Sequence, residues 1–189
     1  MDITFTISFH GPFHIGSGVP DQGLDRILDR DDLVPASSLK GAMRAAAREV
    51  LKLDVALVGA VFGDSSQPDP GVASRRRSSP WEWSHADLGD HTIQNLARIR
   101  MDDTTGTVAR GFLMLGEVVW ADTATFTVRQ SSSIDGDLGD HLLVLRAAAR
   151  AVTSLGGGRR RGEGWVTISD PEAWGADDTR SLRALGGTR

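Results

Sequence analysis

A chain of 189 residues holds one domain with a substantial core, or one domain with a large insertion. Hydrophobic content of 40% and charged content of 24% are ordinary for a globular protein, and zero cysteines exclude disulfides, thiolate nucleophiles and Cys-based zinc sites. No run reaches membrane-spanning length and the N-terminus lacks a signal-peptide pattern, so no membrane partner is expected and the expected location is cytoplasmic.

The net charge of −4 is unevenly spread. The basic groups are 19 Arg and 2 Lys, with blocks at Arg75-Arg76-Arg77 and Arg159-Arg160-Arg161. The acids gather elsewhere, at Asp21, Asp25, Asp29, Asp31 and Asp32. A protein that binds nucleic acid on one face and cuts it at another spot has this distribution, and so does one with ordinary solvated charge runs.

Residues 3–9 alternate, with Ile3, Phe5, Ile7 and Phe9 on one face and Thr4, Thr6 and Ser8 on the other, which predicts a half-buried strand. Residues 17–34 read as an acidic loop. Val34-Pro35-Ala36-Ser37-Ser38 reads as a helix start with Ser37 or Ser38 as N-cap. The following helix carries Lys40, Arg44 and Arg48 at four-residue steps, on one shared face. Val61-Phe62-Gly63 ends that segment. Residues 64–80 are rich in Ser, Pro and Gly and read as a flexible insertion. Trp81 to Ser84 starts a short strand, and residues 85–110 are poorly periodic. Residues 111–120 and 123–130 read as two strands about a tight turn at Ala121-Asp122. Asp137 to Thr153 predicts a second helix, and Trp165 to Ser169 a last strand. The tail at 170–189 is polar and reads as frayed.

The order strand, helix, insertion, two strands, helix, strand predicts an α+β, ferredoxin-like βαββαβ unit over residues 1–169. The RNA-recognition motif shares this architecture. Its aromatic base-stacking signature is missing here.

Between the second helix and the last strand lies Gly156-Gly157-Gly158-Arg159-Arg160-Arg161-Gly162-Glu163-Gly164. Glycines admit positive φ and close backbone approach, bare amides in such a turn form an anion site, and arginine forks match phosphate. A helix C-cap at Gly156 followed by a basic turn accounts for one of these glycines. The remaining glycines and the three arginines point to phosphate binding, with RNA or DNA as the expected partner. At the first helix, amides of the N-terminus with Lys40 and Arg44 suit phosphate, as they also suit a solvated helix face.

Several segments occur in a recognisable order: Phe13-His14-Ile15-Gly16, Val34 to Arg44, Val61-Phe62-Gly63, Ala97 to Ala109, and Gly156 to Gly164. With these, residues 1–169 resemble the RAMP superfamily of CRISPR-associated proteins, and most the repeated backbone subunit of type III effector complexes. The resemblance implies a ferredoxin-like palm holding guide RNA, subunits stacked with copies of themselves and other RAMP subunits in a filament, and a thumb hairpin, here within about 85–110, that displaces bases. It implies RNA contacts from Ser37, Ser38, Lys40, Arg44, Gly156, Gly157, Gly158, Arg159, Arg160, Arg161, Gly162 and Gly164. It also implies cleavage of paired target RNA by an aspartate in the loop before the serine-lysine-glycine helix, with a divalent metal such as Mg²⁺ held jointly with RNA. Gly23-Leu24-Asp25 matches that segment, with Asp21, Asp29 and Asp31 as neighbouring competitors. The three consecutive arginines depart from a family pattern that often alternates small and basic residues.

Two further readings stay open. One is a non-cleaving architectural or capping RAMP subunit. The other is a guide-RNA-processing endoribonuclease with His14 as general base. Elsewhere, Arg75-Arg76-Arg77 reads as a solvated run before an auxiliary RNA contact, and Trp81 and Trp83 as strand core before base-stacking. His10, His14, His85, His91 and His141 have no metal-ligand spacing. Ser37 and Lys40 match the serine-x-x-lysine pattern of β-lactamases, but no partner motif accompanies them.

Overall fold

The computed structural model describes residues 1–16, 27–64, 77–101 and 104–186. The elements are β1 (Asp2–Phe9), α1 (Ala36–Ala45), a π-helical turn (Ala46–Val50), α2 (Val55–Phe62), β2 (Trp81–Trp83), β3 (Asp87–Leu88), β4 (His91–Met101), β5 (Val108–Ala121), β6 (Thr123–Gln130), α3 (Leu138–Ala151), a 3₁₀ turn (Arg159–Arg161), β7 (Val166–Ser169) and α4 (Ala176–Leu185).

The main sheet is antiparallel in the order β2-β6-β1-β7, with β3 also on β6. Counting only β1, β2, β6 and β7, with α1 and α3 between them, this is the ferredoxin-like arrangement the sequence predicts. Alternation sets its faces. Phe5 and Ile7 are buried while Thr4 and Thr6 are exposed, and their partners on β6 repeat this, with Phe126 buried and Thr125 exposed. Phe5 stacks on Phe126 at 5.1 Å between centroids. Each such side chain contributes about 1.5–3 kcal/mol by leaving water. Trp81 and Trp83 alternate with exposed Glu82 and are core residues.

The helices are fixed by local chemistry. Asp137 caps α3 by accepting from the Asp140 amide at 3.0 Å, and Asp54 caps α2 from Ala56 and Leu57. Within α3, buried His141 accepts at Nδ1 from the Trp81 indole at 3.1 Å and donates from Nε2 to the Asp135 carbonyl at 3.3 Å. Burial lowers its pKa, which favours this neutral tautomer. Gly63 ends α2 at φ +79°, where a Cβ would lie 2.9 Å from the Ser79 amide.

Three expectations change. The N-cap of α1 is Pro35, and Ser37 and Ser38 lie inside the helix. The π-helical turn begins at Ala46, with the Leu51 amide bonded to the Ala46 carbonyl at 3.0 Å, so the four-residue period from Lys40 and Arg44 is broken before Arg48. The tail through residue 186 is ordered: α4 packs on α3, with Asp178 accepting from Arg146 at 3.3 Å, and the buried carboxylate of Asp170, ahead of α4, accepts from Arg146 at 3.1 Å and Arg150 at 2.8 Å. Trp174 lies 5.6 Å beneath both guanidiniums.

Strands β4 and β5 form a separate two-stranded hairpin, in register at Ile93↔Val119 and Ile99↔Leu113. It extends past the expected 85–110 to Ala121. The strand expected at 111–120 therefore pairs with β4, and the bend at Asp122 is a corner where the chain passes from hairpin to palm. The expected insertion lies largely outside the described residues, since 65–76 are not among them.

Candidate nucleic-acid interface

The base of the hairpin meets the Gly/Arg loop across the segment that follows β1. Phe13 and Val119 exchange backbone hydrogen bonds of 2.9 and 2.8 Å. The loop closes on itself, with the Leu155 amide donating to the Gly164 carbonyl at 2.8 Å. It is tied to the same segment by the Gly164 amide on the Pro12 carbonyl (2.8 Å) and the Gly157 amide on the His14 carbonyl (2.9 Å).

The close approach requires the glycines. A Cβ at Gly156 would lie 2.2 Å from the His14 carbonyl oxygen, and one at Gly164 would lie 2.0 Å from that of Leu155, both at positive φ. The amides of Gly157 and Gly164 are thus held by carbonyls rather than presented as bare anion donors, which corrects that part of the expectation. Gly158 (φ +77°) and Gly162 (φ +81°) bracket the 3₁₀ turn that carries Arg159, Arg160 and Arg161. All three arginines are exposed. Trp165 braces the turn by donating from its indole to the Arg159 carbonyl at 3.0 Å.

A cavity of about 640 Å³ opens here, lined by Gly156, Gly157, Gly158, Arg159, Arg160, Arg161 and Arg98. Arg98 comes from β4 and forms an ion pair with Glu163, whose side chain is 3% exposed. An arginine-lined cavity on a backbone braced by its neighbours is suited to phosphate groups.

The start of α1 is arranged differently. Lys40 is partly buried, with its ammonium 5.0 Å above the Trp83 ring. Burial, and then the charge of Arg44, lower its pKa. Arg44 donates to the Asp64 carbonyl at 3.4 Å. Ser37 is exposed and Ser38 half-buried.

Asp21 and Asp25 lie outside the described residues. The flanks of their segment meet, since Gly16 and Leu28 form a bridge. Glu117 of β5, buried, accepts from the Leu28 amide at 3.3 Å and from Arg30. Asp29 accepts from the Asp31 amide at 3.1 Å, a turn-forming role. His14 is buried, with Nδ1 bonded to the Glu117 carbonyl at 2.8 Å, a structural position rather than that of an accessible general base. Among the described residues no three His, Cys, Asp or Glu side chains gather as a metal site, and the expected ligand Asp25 lies outside them.

The RAMP superfamily model matches residues 6–167. The chain belongs to the RAMP superfamily. No curated protein matches it significantly. Among solved structures it is similar to a chain of a type III-B Cmr-beta complex in the apo state, at 15% identity and a TM-score of 0.69, covering 91% of this chain and 98% of that one. It is also similar to a chain of Cmr-beta bound to cognate target RNA, at 14% identity and a TM-score of 0.68, covering 90% and 97%. At this identity the likeness concerns the fold.

In this RAMP chain the residues that sequence reasoning missed are Arg98, Glu163 and Glu117. The signal for Glu163 was available: one acid amid three arginines and five glycines is out of place unless a cation elsewhere neutralises it. Among the described residues no helix is long and apolar enough to cross a membrane.

Proposed function

We propose that this chain is a guide-RNA-binding backbone subunit of a type III CRISPR ribonucleoprotein. The observation that carries the reading is the arginine-lined cavity where loop 156–164 meets the hairpin, in a chain of RAMP descent. Arg159, Arg160 and Arg161 grip backbone phosphates, which carry no sequence information, and base pairing by the guide supplies specificity. Lys40 and Arg44 are lesser contacts, since their side chains already engage Trp83 and Asp64. The similar fold in Cmr-beta complexes supports partnership with target RNA and with other RAMP subunits, and stacking with copies of this chain rests on the family resemblance. The distal hairpin has exposed Ile99, Leu113 and Leu115, apolar groups suited to displaced bases or a neighbouring subunit.

Target cleavage belongs to the same proposal and rests on the match of Gly23-Leu24-Asp25 to the family segment. Asp25 orients the 2′-hydroxyl or a water for in-line attack on the adjacent phosphate. Asp25 would hold a divalent metal together with the RNA phosphates, and the metal would supply charge neutralisation there. Its support is that the flanks of the acidic segment meet beside the hairpin base.

The test is native purification from the host, followed by sequencing of the co-purifying nucleic acid. Short RNAs with repeat-derived ends are expected, and a nucleic-acid-free protein at low salt would refute the reading. Asp25→Ala should abolish target cutting while RNA binding persists; unchanged cutting would move the role to Asp21, Asp29 or Asp31, and unchanged cutting in all four variants would reassign the chain as an architectural subunit.

A further inference from the structure

The arginine triplet does not account for the whole cavity, because its wall also holds a residue from outside the loop. Arg98 projects from β4, and its side chain is 18% exposed. Its partner Glu163 sits beneath the arginine turn. A Cβ at Gly158 would lie 2.0 Å from Glu163 Oε2, and the Glu163 amide bonds the Gly158 carbonyl at 3.3 Å. The missing Cβ of Gly158 therefore leaves room for a carboxylate under three exposed cations. A carboxylate this deeply buried is costly unless paired, and the partner it takes comes from the hairpin.

We infer that Arg98 is a fourth arginine of the phosphate grip, presented by the hairpin and oriented by Glu163, so that an RNA phosphate in the cavity couples the hairpin to the palm loop. The inference rests on the RNA-binding reading above. A guanidinium has five in-plane N–H donors, enough to serve a carboxylate and a phosphate oxygen together. Arg98 is then a binding residue and Glu163 a positioning residue. RNA occupancy and hairpin orientation become linked, because both act on one side chain.

The test uses the full chain with single-stranded RNA of mixed sequence, and measures affinity against salt concentration. Arg98→Ala strands a buried carboxylate and can misfold. The decisive variant is therefore the double change Arg98→Gln with Glu163→Gln, which removes both charges and keeps hydrogen-bonding capacity. We expect the slope of log affinity against log salt to shrink by up to about 0.7, the effect of one full phosphate contact on a single strand, since Arg98 shares its charge with Glu163. Glu163→Gln alone should keep the slope and lower affinity several-fold, as expected when a charge is retained but misaimed. RNA should also slow amide exchange along β4 in the wild type, and that protection should vanish in the double variant. A folded double variant with wild-type slope and wild-type protection overturns the inference, even if Arg160→Ala weakens binding and so upholds the RNA reading. A wild-type chain with no salt-dependent RNA affinity overturns both.

Discussion

Two regions carry the cations expected to meet phosphate, and the structure treats them in opposite ways. In loop 156–164 the glycines bring the backbone against Pro12–His14, and the three arginines stand outside that scaffold in solvent. At the start of α1 the helix is the scaffold, and the cations turn toward the protein: Lys40 over Trp83, Arg44 to the Asp64 carbonyl. Both regions look basic in the sequence. They differ in whether the charged heads already have partners, and that difference decides how much each can give to a ligand.

The scaffold is where a single atom should have the largest effect. Gly164→Ala places a methyl 2.0 Å from the Leu155 carbonyl oxygen at φ +69°. Left-handed strain and overpacking together cost about 3 kcal/mol. That lowers Tm by roughly 6–12 °C. Gly162 has the same hand of φ (+81°), but a Cβ there would meet no atom within 4 Å, so Gly162→Ala should cost only about 1 kcal/mol. Equal Tm losses by calorimetry would show that the loop yields freely and is no rigid scaffold.

The next largest effect concerns the heads. Replacing Arg159, Arg160 and Arg161 together by Ala removes three contacts of about 0.7 in salt slope each. RNA affinity near 0.1 M salt should then fall about a hundredfold, by the same amount for every RNA sequence. A loss confined to particular sequences would mean base readout instead. Lys40→Ala should cost less than the fivefold or so of a full phosphate contact, because Lys40 is partly desolvated and stacked. A larger loss would erase the contrast between the two regions.

Each part of the molecule was legible in sequence to the extent that its stability comes from local periodicity. The alternation of Phe5 and Ile7 with Thr4 and Thr6, and the apolar stripe of α3, announce the palm because one face of each is buried. The strand β4 gave no such signal. It belongs to a two-stranded ribbon, and its residues from His91 to Ala97 are exposed except Ile93, so selection for a buried face leaves no period of two. The basal half of β5 runs over Phe13 and was readable for that reason. The helix α4 has no fully buried residue; Leu182 and Leu185 rest partly buried against the core, and Asp178 joins Arg146 in the polar network of Asp170, Arg150 and Trp174, a set that looks like an unstructured tail on paper. The arginines and glycines of the loop were plain in the sequence. The pairing of Arg98 with Glu163 was not, because it is set only once the hairpin folds back on the loop.

The smallest effect sharpens the comparison from the side of stability. Burial and Arg44 hold the Lys40 pKa below its ordinary value of 10.5 in the folded chain. Between that lowered value and 10.5 the unfolded chain binds more protons than the folded one, so stability rises with pH across this window. Below the window the charged lysine weighs against folding, and above it the penalty is gone. Lys40→Met keeps the apolar stem against Trp83 and removes the titration. The stability difference between wild type and Lys40→Met, followed by urea unfolding from neutral pH to about 10.5, should therefore move toward the wild type as pH rises. A difference that stays flat with pH would place the Lys40 ammonium in water, leave its charge available to RNA, and make the two regions alike.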